Sequence, residues 1–166
     1  MRFLLAMMLA WLPSFAQGQG FAIDDFTQVV IDASAFEGGS YDITSIEWKI
    51  VLECSDCDGK ATVLIQRERS HDNKYSRGST SDEILAGIKK LCTHGSATCT
   101  LSQIELGKAR GWMVNFVFRQ VYMSTAVLSL DGDVLSIRTL SSNSVRSDHN
   151  MGLALRHIAP QIVEGK

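Results

Sequence analysis

Basic charge is scarce in this chain, where 16 Lys and Arg stand against 18 Asp and Glu. Proteins that hold nucleic acid neutralise phosphates with Lys and Arg, so a weakly acidic sequence argues against that partner. Proline is scarcer still: there are two, Pro13 and Pro160, and neither lies in a linker. No internal repeat or low-complexity tract divides the chain. After residue 16, no apolar run approaches the roughly 20 residues that a bilayer-spanning helix needs. Serine-nucleophile elbows, phosphate-binding loops and zinc-protease helices are also missing, which argues against common hydrolase or nucleotide chemistry.

What is present begins with an address. Met1-Arg2 is a short positive start, Phe3 to Trp11 is almost unbroken apolar sequence, and Ser14-Phe15-Ala16 places small residues where a signal peptidase reads. Pro13 and the following Gln17-Gly18-Gln19-Gly20 fit a buried first helix poorly. Residues 1–16 are therefore expected to be a signal peptide cleaved after Ala16, leaving 17–166 as a single globular domain. Without a cysteine at the cleavage site, no lipid anchor is expected there. Losing Arg2 makes the mature chain slightly more acidic. A domain of about 150 residues buries roughly 70% of its unfolded surface, enough for a core of its own. The sequence thus predicts a soluble periplasmic or secreted protein.

Along the chain, Ile46, Trp48, Ile50 and Leu52 alternate with Glu47, Lys49 and Glu53, the period of a half-buried strand. Asp58-Gly59 marks a turn, and Ala61 to Arg69 returns as a second strand. The strongest helix signal follows. Ser79-Thr80-Ser81 supplies caps, Thr80 and Glu83 have capping-box spacing, and Ile84, Leu85, Ile88 and Leu91 form an apolar stripe that ends at His94-Gly95. Leu101 to Leu106, the alternating run Trp112 to Phe118, and Tyr122 to Leu130 and Val134 to Leu140 around Asp131-Gly132 predict further strands. At Arg119-Gln120-Val121, where no Gly, Asn or Pro can make a tight turn, a bulge or a long bent strand is expected. A last helix is expected from Ser147 or Asp148, with Met151, Leu155, Ile158 and Ile162 at helical spacing and a kink or restart at Pro160. Phe26 to Phe36 is ambiguous between strand and helix. The sum is an α+β domain: an antiparallel β-sheet of five or six strands with two α-helices packed on one face.

Four cysteines, Cys54, Cys57, Cys92 and Cys99, argue for two disulfides in an exported protein. A bridge closing four residues contributes about 2 kcal/mol and one closing about 39 contributes about 4, so stabilisation favours crossed pairings. Proximity favours Cys54–Cys57 and Cys92–Cys99, which can form before the sheet assembles, and this local pairing is the expected one. Two sharper chemistries compete with it. Cys54-Ser55-Asp56-Cys57 has dithiol redox spacing, but Glu53, Asp56 and Asp58 crowd it with the wrong charge for stabilising a thiolate. A zinc site completed by Cys92, Cys99 and His94 is the other, and its second pair is loosely spaced.

His71-Asp72 and Asp148-His149 are the acid–base pairs to consider, yet sequence neighbours on a strand point to opposite faces. His157 is expected at the boundary of the last helix, and Trp112 and Phe116 in the core. The stretch from Arg67 to Ser79 offers a candidate anion site in Arg67, Arg69, His71, Tyr75, Arg77 and Ser79, leading into a helix N-terminus. Glu68 and Asp72 partly offset its charge, which fits an ordinary solvated loop. No cofactor is implied. The expectation is a non-enzymatic binding or accessory protein of the cell envelope, with a protein partner or small anionic ligand. The alternative is a thiol–disulfide or zinc-dependent enzyme using Cys54 and Cys57.

Overall fold

The computed structural model describes residues 20–68, 83, 86, 87, 89, 90, 92 and 99–166. Seven strands form one antiparallel sheet: β1 (Tyr41–Ile46), β2 (Lys49–Cys54), β3 (Ala61–Glu68), β4 (Thr100–Leu106), β5 (Ala109–Phe118), β6 (Val121–Leu130) and β7 (Asp133–Ser141). Their order is β1-β2-β3-β7-β6-β5-β4, so two meanders, β1 to β3 and β4 to β7, meet along the β3–β7 pair. A C-terminal helix follows in three pieces: α1 (Ser144–Leu153), a π-helical turn (Ala154–Ile158) and α2 (Ala159–Glu164).

The strand count exceeds the expected five or six because one turn was hidden. The alternating run from Ile46 to Leu52 is not a single strand: it is broken at Glu47-Trp48, and Tyr41 to Ile46 runs back beside it as β1. The bulge or bent strand expected at Arg119-Gln120 is likewise a two-residue hairpin turn. Its two residues sit in the left-handed region at φ 48° and 67°, a conformation usually left to Gly or Asn. Asp131-Gly132 forms the expected tight turn between β6 and β7, at φ 49° and 91°.

Period-two alternation gives the sheet two unlike faces. On the near face, Ile50, Leu52, Val63, Ile65, Ile137, Leu135, Ala126 and Leu128 pair across β2, β3, β7 and β6 and are fully buried. Met151, Ala154, Ile158 and Ile162 of the C-terminal helix cover them. Leu155, expected on this stripe, is only half-buried, and Ala154 beside it takes the fully buried position. The helix starts at Ser144, three residues before the earlier expected start, with Asn143 as its cap accepting from the Arg146 N–H at 3.2 Å.

The expected helix over Ser79 to Leu91 lies largely outside the described residues. Those described there, 83, 86, 87, 89, 90 and 92, are helical. The expectation of two helices on one face needs correction. Trp112 belongs to the far face of the sheet, opposite the C-terminal helix, and the Lys89 ammonium sits 5.4 Å from its ring centre. Val114, Thr125, Val134 and Ser136 on that far face are buried, so both faces carry packing. Trp112 and Phe116 are half-buried there. No helix among the described residues is long and apolar enough to cross a membrane.

The segment before β1, ambiguous in sequence, is neither strand nor regular helix. It is an extended strap carrying two 3-10 turns, Phe26–Gln28 and Ala33–Ala35, each begun by an aspartate. Asp25 accepts from the Thr27 N–H and Asp32 from the Ser34 N–H, at 2.9 and 3.0 Å. Phe21, Phe26, Val29 and Phe36 turn inward to the same core as the helix.

Candidate ligand-binding groove

Strap and C-terminal helix lie side by side on the near face, and their joint is built from backbone and one amide. The Ile23 N–H donates to the Ile162 carbonyl of the helix at 3.0 Å, while the Phe26 N–H ties the strap to the β1–β2 turn through the Glu47 carbonyl at 2.9 Å. Gln161 pairs with Val30 much as a neighbouring strand would. Its Oε1 accepts from the Val30 N–H at 3.0 Å, and its Nε2 donates to the Val30 carbonyl at 2.9 Å. The same Nε2 also donates to the His157 carbonyl at 2.7 Å.

Pro160 interrupts the helical ladder one residue before Gln161. Proline has no N–H to return to Arg156. The helix widens here, with the Ala159 N–H reaching Ala154, and then resumes with Pro160 in its first turn. The expected kink or restart at Pro160 thus takes the form of a π turn that carries Arg156 and His157 on its exposed side.

Between strap and helix runs an open groove of about 650 Å³. Ligand sites commonly span roughly 300–1,000 Å³. Val30, Ile31, Ala35 and Phe36 form one wall, and Leu153, Ile158 and Pro160 the other. Arg156, His157, Gln161, Lys166 and Asp32 supply its polar groups. Asp32 is committed to its turn: the Ser34 hydroxyl and N–H, in that order of effect, hold its carboxyl below the ordinary range. Lys166 contacts Glu164 at 3.1 Å. Arg156 forms no ion pair among the described residues. A Cβ built on Gly152 would come within 3.1 Å of Arg156 Nη1, so the guanidinium leans back over a residue with no side chain.

Of the six residues singled out from sequence as an anion site, Arg67 alone lies among the described residues. Arg67 lies on the near face of β3 with its side chain buried, paired with Asp24 of the strap and, at 2.6 Å, with Asp133 of β7. Burial pulls its pKa down, but the bonds from Asp24 and Asp133 outweigh this and hold it above the ordinary value. Phe21 packs under the guanidinium at 5.7 Å, and its N–H donates to Asp133. Arg67 therefore anchors the strap. Arg69, His71, Tyr75, Arg77 and Ser79, together with Asp72 and His94, lie outside the described residues.

Cys54–Cys57 and Cys92–Cys99 are disulfide-bonded, which is the expected local pairing and fits an oxidising compartment. Sulfurs joined in this way have no thiolate to offer a metal. Among the described residues, no group of three or more His, Cys, Asp or Glu is placed to hold one.

Asp148 and His149 do not form a pair. Asp148 accepts from the Ser124 hydroxyl at 3.1 Å beneath the helix, while His149 Nδ1 lies 3.4 Å from a Glu37 carboxylate oxygen outside it. Ser124, Thr139 and Ser147 complete a buried hydroxyl cluster that docks α1 on β6 and β7. Tyr41, Asn150 and Glu37 form a second one at the far end of the strap: Asn150 donates to the Tyr41 hydroxyl, which donates to the Glu37 carbonyl. Burial raises the Tyr41 phenol above its ordinary pKa.

Sequence reasoning missed Val30, Arg156, Gln161 and Lys166 as groove residues. The one usable signal was Pro160 inside a helical period, which marked a disturbed turn without saying what faced it. Compared with protein-family models, with curated proteins and with solved structures, the chain finds no match.

Proposed function

We propose that this is an exported, non-enzymatic binding protein that takes a small molecule with an apolar body into the groove between strap and C-terminal helix. The observation that carries this reading is the groove itself, an apolar trough walled by two elements that the fold holds apart and pins at Gln161. An open trough between packed layers suits reversible binding, since a ligand can enter without unfolding either wall. The satisfied hydroxyl clusters and the buried Arg67 network belong to the frame that positions those walls. The two disulfides fit an oxidising compartment, and with the leader-like residues 1–16 they support a periplasmic or secreted setting.

The test is titration of the oxidised mature protein with N-phenyl-1-naphthylamine, a neutral dye that brightens on leaving water. A saturable rise is expected. Ala35→Trp, which fills the trough from the strap side at an exposed position, should remove that rise while leaving the unfolding midpoint in place. Absence of any saturable rise in the wild type would sink the proposal, as would an undiminished rise in the tryptophan variant.

A further inference from the structure

Resting on the groove reading above, we infer that its ligand is an aliphatic monocarboxylate, with the chain along the trough and the carboxylate on Arg156. Three features lead there. The walls are aliphatic and aromatic carbon: Val30, Ile31, Phe36, Leu153, Ile158 and Pro160. Among the cations at the rim, Arg156 alone is exposed on the widened turn with no carboxylate partner among the described residues, whereas Lys166 is balanced by Glu164. A guanidinium with no ion-pair partner can take one negative charge, and its planar fork matches a planar carboxylate through two parallel hydrogen bonds. Asp32 on the strap side and Glu164 beside Lys166 weigh against a dianion such as a phosphate monoester, because like charges nearby oppose it.

The local backbone supports the assignment. Arg156 lies exposed on the π turn and lines the groove. Gly152 leaves the space into which its guanidinium leans. Arg156 thus lines an apolar trough on the turn that precedes Pro160. A neutral chain of equal length would bury the same carbon and leave this guanidinium in water.

The experiment is competition against N-phenyl-1-naphthylamine by decanoate, decanol and decyl phosphate, each below its micelle concentration, on the oxidised mature protein. Decanoate is expected to compete about tenfold better than decanol, the scale of one charge-assisted hydrogen-bonded pair at a partly wet site. Arg156→Gln should erase that preference while leaving decanol unchanged. Arg156→Lys should keep part of it, and raising salt should shrink it. Equal competition by decanol, or a preference that survives in Arg156→Gln, overturns the carboxylate assignment but leaves the apolar groove standing. Tighter binding of decyl phosphate overturns it in favour of a dianion. Arg156-dependent co-sedimentation with phosphatidylglycerol vesicles overturns it in favour of a membrane surface. Failure of the dye to bind at all is a different result: it removes the groove reading, and this assignment with it.

Discussion

Replacing Arg67 with methionine tests whether the strap is held electrostatically. The arginine side chain is 6% exposed, Asp133 is 21% exposed and Asp24 is 75% exposed. Those fractions separate the two ion pairs. Breaking a buried pair by removing one partner costs about 3–5 kcal/mol, because the other charge is left stranded. Asp133 keeps the Phe21 N–H and some water, so the low end applies, about 3 kcal/mol. The Asp24 pair is in water on one side and contributes no more than about 1 kcal/mol. Methionine retains much of the stem's packing and the contact with Phe21, so the change is read as lost charge and not as a cavity.

Arg67→Met should therefore lower the unfolding free energy of the oxidised mature protein by about 3 kcal/mol, Asp133→Asn by about 2, and Asp24→Asn by less than about 1. Urea unfolding at neutral pH with unchanged slope gives these differences directly. The Arg67→Met, Asp133→Asn double variant should show a coupling above about 1 kcal/mol, since the two sites share one interaction. The reasoning is refuted if Arg67→Met costs under about 1 kcal/mol. It is equally refuted if Asp24→Asn costs as much as Asp133→Asn, because then exposure does not rank the pairs.

Other parts of the structure make independent predictions. Gln120→Gly relieves a side chain held at φ 67° and should stabilise by about 1 kcal/mol in the same urea assay. Gln161→Ala removes three hydrogen bonds at a half-exposed joint, which should cost about 1–2 kcal/mol and weaken dye binding as the strap loosens. Thr139→Val leaves buried Ser147 short of a partner, for a loss of about 1–2 kcal/mol in urea. Asp56 accepts from the Ser40 N–H and hydroxyl, which hold its carboxyl below the ordinary 3.8. Its contribution is thus present above that ordinary value and lost as pH falls through the lower folded one. In Ser40→Ala, an NMR titration should find the Asp56 carboxyl raised toward its ordinary value; an unmoved titration would refute the hydroxyl's part.

Where turn chemistry and side-chain period agreed, the sheet was legible in the sequence. Asp131-Gly132 marked a hairpin that the structure contains, because glycine adopts positive φ without cost. The two misjudged places were turns with no such residue. Glu47-Trp48 sits inside an alternating run, so polarity continues through the reversal and conceals β1. Arg119-Gln120 forces two ordinary side chains into the left-handed region, which local propensity disfavours and only cross-strand pairing of β5 with β6 can impose. The strap was ambiguous for a related reason. Phe26, Val29 and Phe36 have helical spacing, yet the chain that carries them is extended between two short 3-10 turns, so their period does not report the backbone.

The groove was illegible because nothing that defines it is local. Val30 and Gln161 lie 131 residues apart, and neither is unusual for its position until the two are paired. Arg67 illustrates the opposite error: in a stretch rich in basic residues it resembles a ligand for anions, yet register on β3 turns it to the buried face. Its nearest carboxylates come from the strap and from β7, so its charge is consumed in the frame. Arg156 has the converse history. As one more arginine on a helix it carries no sequence signal, and the structure leaves it exposed on the widened turn without an ion-pair partner among the described residues. A cation can serve a ligand only where the fold has not already supplied its counter-charge. On that criterion the described surface passes from Arg67, where expectation began, to Arg156 at the mouth of the groove.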